Sequence, residues 1–178
     1  MFFGIGLASP VLGGCGGGDI SASAQPTREE LQVYLRQVEP LRLAVNDLLE
    51  RFDPVLSAYG SNRISAGEAQ HQLDMLERRF SRYVVDALAI TPGNGTLRDL
   101  YQPYAETYVL EDTYLSALVA AVPDRGFGHL PMTQDQQRTT IIQWRVRVEV
   151  LARQVHLKLP PDLDSAGRGE IAQSPSGS

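Results

Sequence analysis

Between residues 27 and 160, apolar side chains recur in alternating steps of three and four, the spacing that lines one face of an α-helix. The first run, Leu31, Tyr34, Val38, Leu41, Val45, Leu48, Phe52, Val55 and Tyr59, opens at Thr27 and Glu30 and closes at Gly60. Thr27 with Glu30 is a capping box, in which each side chain accepts from a main-chain N–H that the first turn leaves free. Ser65 with Glu68 opens a second run (Ala69, Leu73, Leu76, Phe80, Tyr83, Ala87, Ile90), which Thr91, Pro92 and Gly93 end. Thr96 with Asp99 opens a third (Leu97, Tyr101, Tyr104, Tyr108, Leu115, Leu118, Val122), stopped by Pro123. Thr133 with Gln136 opens a fourth (Ile141, Trp144, Val148, Leu151, Val155). Four capped amphipathic segments on short connections predict an all-α protein, an up-down-up-down four-helix bundle. Its expected core holds Leu48, Leu76, Phe80, Leu115, Leu118, Trp144, Val148 and Leu151 together.

Prolines modify this outline. Pro40, Pro54 and Pro103 fall inside the runs, where each removes a donor and crowds the preceding turn, so the first and third segments are expected to kink or split there. Asp53 and Pro54 would suit the cap and first residue of a separate short helix. Charge favours packing the third segment on the fourth. Residues 97–122 carry Asp99, Glu106, Glu111 and Asp112 against Arg98, while residues 133–159 carry Arg138, Arg145, Arg147, Arg153 and Lys158 against Asp135 and Glu149. Exposed pairs are worth only about 0.2 to 1 kcal/mol each, so this biases the arrangement without creating the fold.

The two ends of the chain have a different character. Residues 1–15 are apolar and uncharged, too short a stretch to cross a bilayer as a helix, and they finish in Leu12-Gly13-Gly14-Cys15. This motif resembles the lipobox of bacterial lipoproteins. The resemblance implies a signal peptide over residues 1–14, its removal, and a diacylglycerol on the sulfur of Cys15, the new amino terminus. Signal peptides open with basic residues and the first here is Arg28, so the resemblance also implies a natural start upstream of Met1. Residues 15–26 would be a lipidated flexible tether, because Gly16-Gly17-Gly18 and the small residues behind it can bury little apolar surface. Residues 27–160 would form the bundle. Residues 161–178, rich in Gly, Ser and Asp, are expected to be a disordered tail.

Composition narrows the function. At 178 residues and 43% apolar, the chain can bury a real core. Its net charge of -5 offers no field to hold nucleic acid, and one cysteine excludes an internal disulfide and a clustered thiolate site. The leader glycines lack the Lys-Ser/Thr of a phosphate loop, and neither Cys-x-x-Cys-His nor Gly-x-Ser-x-Gly occurs. No cofactor is expected, and nothing marks an enzyme.

Metal chemistry has one foothold. Glu68-Ala-Gln-His71 is a Glu-x-x-His unit, whose spacing puts carboxylate and imidazole on one helical face, as in di-iron bundles. A second unit is missing, because Gly126 precedes His129 and Arg153 precedes His156 at that spacing, and Glu68 already serves a cap. Met75, Met132 and His156 are the candidate axial ligands for haem between helices, with Met75 expected as core filler.

Three further places can carry function. Read continuously, the third seam puts Glu111 where an apolar residue is expected, and a buried carboxylate needs a partner such as Arg145 or Arg147, or a proton. A register shift at Pro103 would turn Leu110 and Tyr114 inward and leave Glu111 at the edge, which is the expected arrangement. At the tether end the topology gathers Tyr34, Tyr83, Tyr101, Tyr104 and His156. These would form a pocket or, as expected, core tyrosines with hydroxyls reaching water. At the distal end lies the longest connection, residues 123–132, near His71 and the 60–64 turn. There Gly126 and Gly128 would present Arg125, Phe127 and His129 as a binding loop, or Phe127 and Leu130 would fold back as a core cap.

The expected function is a binding or scaffolding role. The chain would be anchored by an acyl group on Cys15 to the extracytoplasmic side of a bacterial envelope membrane, with an envelope protein as partner. The alternative is a metal- or haem-binding bundle with a redox or metal-handling role.

Overall fold

The computed structural model describes residues 24–164, 171, 172 and 175. Cys15, the signal peptide and all but the last three tether residues lie outside the described residues. Every regular element among the described residues is helical: α1 (Arg28–Leu49), α2 (Phe52–Gly60), α3 (Ala66–Ala89), α4 (Gly95–Ala121), α5 (Gln134–Gln154) and the short α6 (Pro161–Asp164), with a 3-10 turn at Phe127–His129. The chain is an all-α four-helix bundle in which α1 and α2 together supply one of the four rods. α4 lies between α3 and α5, α3 packs on α1 and α2, and α1 meets α5.

Local chemistry explains the starts. Thr27 and Glu30 form the full capping box: Glu30 N donates to Thr27 Oγ1 at 3.2 Å and Thr27 N to Glu30 Oε2 at 2.7 Å. Ser65 caps α3 by accepting from Glu68 N at 3.2 Å, while the Glu68 carboxylate accepts from Gln72. The expected Thr96–Asp99 pair is not the cap of α4. Asn94 is, accepting from Leu97 N, and the Thr96 hydroxyl donates to the Ala24 carbonyl. Thr133 sits at the N-cap of α5 with helical dihedrals, and its buried hydroxyl caps nothing.

The prolines act differently from one another. The first rod does split, at Glu50 and Arg51, and Pro54 falls in the first turn of α2, where a missing N–H costs nothing. α1 runs unbroken through Pro40 and α4 through Pro103. The carbonyls these prolines release belong to Arg36 and Asp99, both exposed residues, where a lost donor costs less than it would in the core.

Three helical ends share one geometry. Asn62, Arg125 and His156 have φ of 56°, 53° and 52°, and the residue after each donates back to Ala58, Ala121 and Ala152. This is the left-handed closure that glycine usually supplies, here carried by residues with side chains. Gly126 has φ of -75°, so the left-handed turn of the distal loop belongs to Arg125.

Leu48, Phe80, Leu115, Leu118, Trp144 and Val148 are buried as expected, whereas Leu76 and Leu151 are only partly buried at the rim. Met75 is 54% exposed rather than core filler. The tail also departs from expectation at its described residues. Leu163 within α6 and Ala172 beyond it are buried in the core cluster, and Ile171 packs against it.

Candidate functional site

α4 is the central element of the site because neighbours cover it on two sides. Its buried face spans Tyr104, Thr107, Tyr108, Glu111, Tyr114 and Leu115, wider than a single seam. Glu111 therefore lies inside, 1% exposed, and the expected edge position is corrected: α4 keeps its register through Pro103, and Tyr114 is buried as well.

The carboxylate is held by neutral donors. Gln137 Nε2 on α5 donates to Glu111 Oε2 at 2.9 Å and to the Thr107 carbonyl at 3.1 Å. Ala172 N donates to Glu111 Oε1 at 2.7 Å, and Gln134 Nε2 donates to the Ala172 carbonyl at 2.6 Å. Both main-chain groups of Ala172 are thus gripped by side chains of α4 and α5. Burial pushes the Glu111 carboxyl up to about 7, against the pull of the Ala172 N–H and the Gln137 amide. Arg145, a sequence candidate for its partner, is also buried.

Beside this clamp, toward the tether end, stands an aromatic stack. The Trp144 and Tyr104 rings lie 4.2 Å apart at 18°, Trp144 Nε1 donates to Tyr34 Oη at 2.6 Å, and the Tyr104 and Tyr108 hydroxyls meet at 3.0 Å. Tyr101 Oη donates to the Ala87 carbonyl at 2.8 Å. The expected gathering of Tyr34, Tyr101 and Tyr104 is present. Their hydroxyls bond within the protein rather than reaching water, and burial raises the Tyr34 and Tyr101 hydroxyl pKa values. Tyr83 is only partly buried and His156 is exposed.

At the distal end the loop folds back. Arg125 Nη2 donates to Asn62 Oδ1 at 2.8 Å and its guanidinium lies 5.1 Å from the Tyr59 ring centre, while Tyr59 Oη donates to the Val122 carbonyl at 2.6 Å. Phe127 and Leu130 pack on the core, whereas His129 is exposed. A cleft of about 280 Å³ lined by Tyr114, Phe127, Leu130, Met132, Gln134 and Pro175 joins the loop to the clamp. Of the sequence candidates, Phe127 and Glu111 therefore flank one feature through Gln134, and Arg125 and His129 stand apart from it.

The metal and haem candidates occupy the surface. Glu68 and His71 are exposed on α3, Met132 is 98% exposed and His156 closes α5 facing solvent. Among the described residues no group of three or more His, Cys, Asp or Glu converges. Sequence reasoning missed Gln134, Gln137 and Ala172. Gln137 lies four residues before Ile141 on the fourth seam, a polar residue at a core position that signals as Glu111 does. Ala172 carries no signal in a tail of small residues.

No protein-family model matches the chain, and neither a curated protein nor a solved structure does so.

Proposed function

We propose that this chain is a binding or scaffolding module of the bacterial cell envelope, anchored on the extracytoplasmic side of a membrane through Cys15 and engaging an envelope protein with its far end. The observation that carries the binding reading is the clamp: Glu111 and Gln134 hold a main chain by both its N–H and its carbonyl in a buried setting. The anchor rests on Leu12-Gly13-Gly14-Cys15. Among the described residues no helix is long and apolar enough to cross a membrane.

The geometry of the two ends supports the orientation. Asn94 and Thr96 donate to the Ala24 carbonyl and the Gln25 and Gln154 side chains are joined, so the chain enters at the end formed by the α3–α4 turn and the close of α5. Nine residue steps separate Cys15 from Ala24, a reach of at most about 32 Å. The distal loop and the cleft lie at the other end.

Membrane fractionation tests this reading. Wild-type protein should enter the detergent phase and Cys15→Ser the aqueous phase; wild-type protein in the aqueous phase with residues 1–14 attached would refute the anchor. In the same membranes, a photo-crosslinker replacing the exposed Met132 should capture an envelope protein. Absence of any adduct with the anchor intact would remove the partner.

A further inference from the structure

We infer that the face formed by the end of α3 and the first half of α4 is a membrane-docking surface, which sets the bundle down on anionic lipid beside its own anchor. The inference deepens the anchored-module reading and rests on it. The centre of this face is a groove of about 300 Å³. Ala87, Pro92, Tyr101 and Ala105 form its buried floor, while Arg98 and Gln102 stand exposed at its rim. The hydroxyl on that floor is already used, since Tyr101 Oη donates to the Ala87 carbonyl. A polar ligand would find no partner there, whereas hydrocarbon needs none. Large aliphatic side chains extend the groove outward: Leu88 is 57% exposed, Val85 67% and Val109 41%. The Ser81–Asp112 hydrogen bond sets the antiparallel register of the two helices, so Val85 on α3 stands nearly level with Val109 on α4.

Two observations say what covers this face. The first is where the tether arrives. The Ala24 carbonyl accepts from Asn94 Nδ2 and Thr96 Oγ1 at the α3–α4 turn, the same turn whose Ile90 and Pro92 close the groove. An acyl group on Cys15, nine residue steps before Ala24, holds this face within about 32 Å of the lipid. The second is charge. Arg82 lies one turn before Val85 and Arg98 lines the groove; both are exposed and, among the described residues, neither has an acidic partner. Asp86 falls two residues before Leu88, on the opposite side of α3, and Glu106 at the far end of the groove accepts from Gln102. Aliphatic side chains flanked by two arginines fit the boundary between headgroup and acyl chain, where hydrocarbon takes the first and lipid phosphate the second.

The test uses the full chain with Cys15→Ser, which leaves no thiol, and adds Val85→Cys, Met75→Cys or Val146→Cys to carry an environment-sensitive fluorophore. All three positions are exposed, and Met75 lies about 15 Å from Val85 along α3. With vesicles of phosphatidylcholine and phosphatidylglycerol, the label on Val85→Cys should brighten several-fold and be quenched by spin-labelled lipid, with the other two unchanged. Read from the same label, Leu88→Asp should weaken docking about tenfold, and Arg82→Gln and Arg98→Gln about fivefold each, at unchanged helicity. Leu88→Gln replaces Leu88→Asp should the latter unfold. The arginine effects should vanish on phosphatidylcholine alone and in high salt. A chain that reaches the vesicles through residues 1–14 alone leaves all three labels unchanged, which overturns the docking. A response at Val146→Cys in place of Val85→Cys overturns the choice of face. A Val85→Cys label shielded without lipid, in a concentration-dependent dimer, overturns lipid as the occupant in favour of a second copy. Fractionation of the wild type reads the anchor and label position reads the face, so each can fail while the other stands.

Discussion

Glu111 shows how one residue can be legible in a pattern and still be settled by its surroundings. Its carboxyl holds a proton to about pH 7, against an ordinary value of 4.5, because burial disfavours the charge more than the Ala172 N–H and the Gln137 amide favour it. The folded state thus binds the proton more tightly than the unfolded chain does. The associated stability is fully present below pH 4.5 and is lost as pH rises through about 7, a difference of about 3 kcal/mol. Glu111→Gln keeps an acceptor for Ala172 N and cannot ionise. Chemical denaturation across pH 4.5 to 8 should find the two proteins similar at the acid end, with the variant gaining steadily on wild type above it. A constant difference across that range would mean that Glu111 does not titrate in the fold.

At the scale of the element, starts and ends obey local rules with different fidelity. The Thr27–Glu30 box forms in full because both partners lie within one turn of the same backbone, whereas α4 prefers Asn94 as its cap and leaves Thr96 to bind the Ala24 carbonyl. Three of the ends are set by a left-handed residue, and the chain puts Asn62, Arg125 and His156 there in place of glycine. His156 is exposed, so His156→Gly should relieve left-handed strain and raise stability by about 1 kcal/mol, read as a higher denaturant midpoint at unchanged slope. Arg125→Gly should gain less, because it also gives up the Asn62 hydrogen bond and the contact with the Tyr59 ring.

At the scale of the whole molecule, burial separates residues that the seam treats alike. Leu73 and Leu76 sit three apart on the second run, yet Leu73 is 0% exposed and Leu76 is only partly buried. Leu73→Ala should cost about 2 to 5 kcal/mol through the cavity it leaves, and Leu76→Ala distinctly less, since its site opens to water. Equal losses would mean that the rim is packed as tightly as the centre. The four-helix architecture, the break in the first rod near Pro54 and most of the core were readable from residues alone, because helical period, caps and proline act within a turn or two of backbone. The inward position of Glu111, the exposure of Met75 and the seat of Ala172 were not. They depend on what lies across the bundle: α4 is covered on two sides rather than one, and Ala172 meets Glu111 across 61 residues of sequence. Periodicity names the face of a helix that can be buried, and only the packing of its neighbours decides how wide that face becomes and which distant segment closes over it.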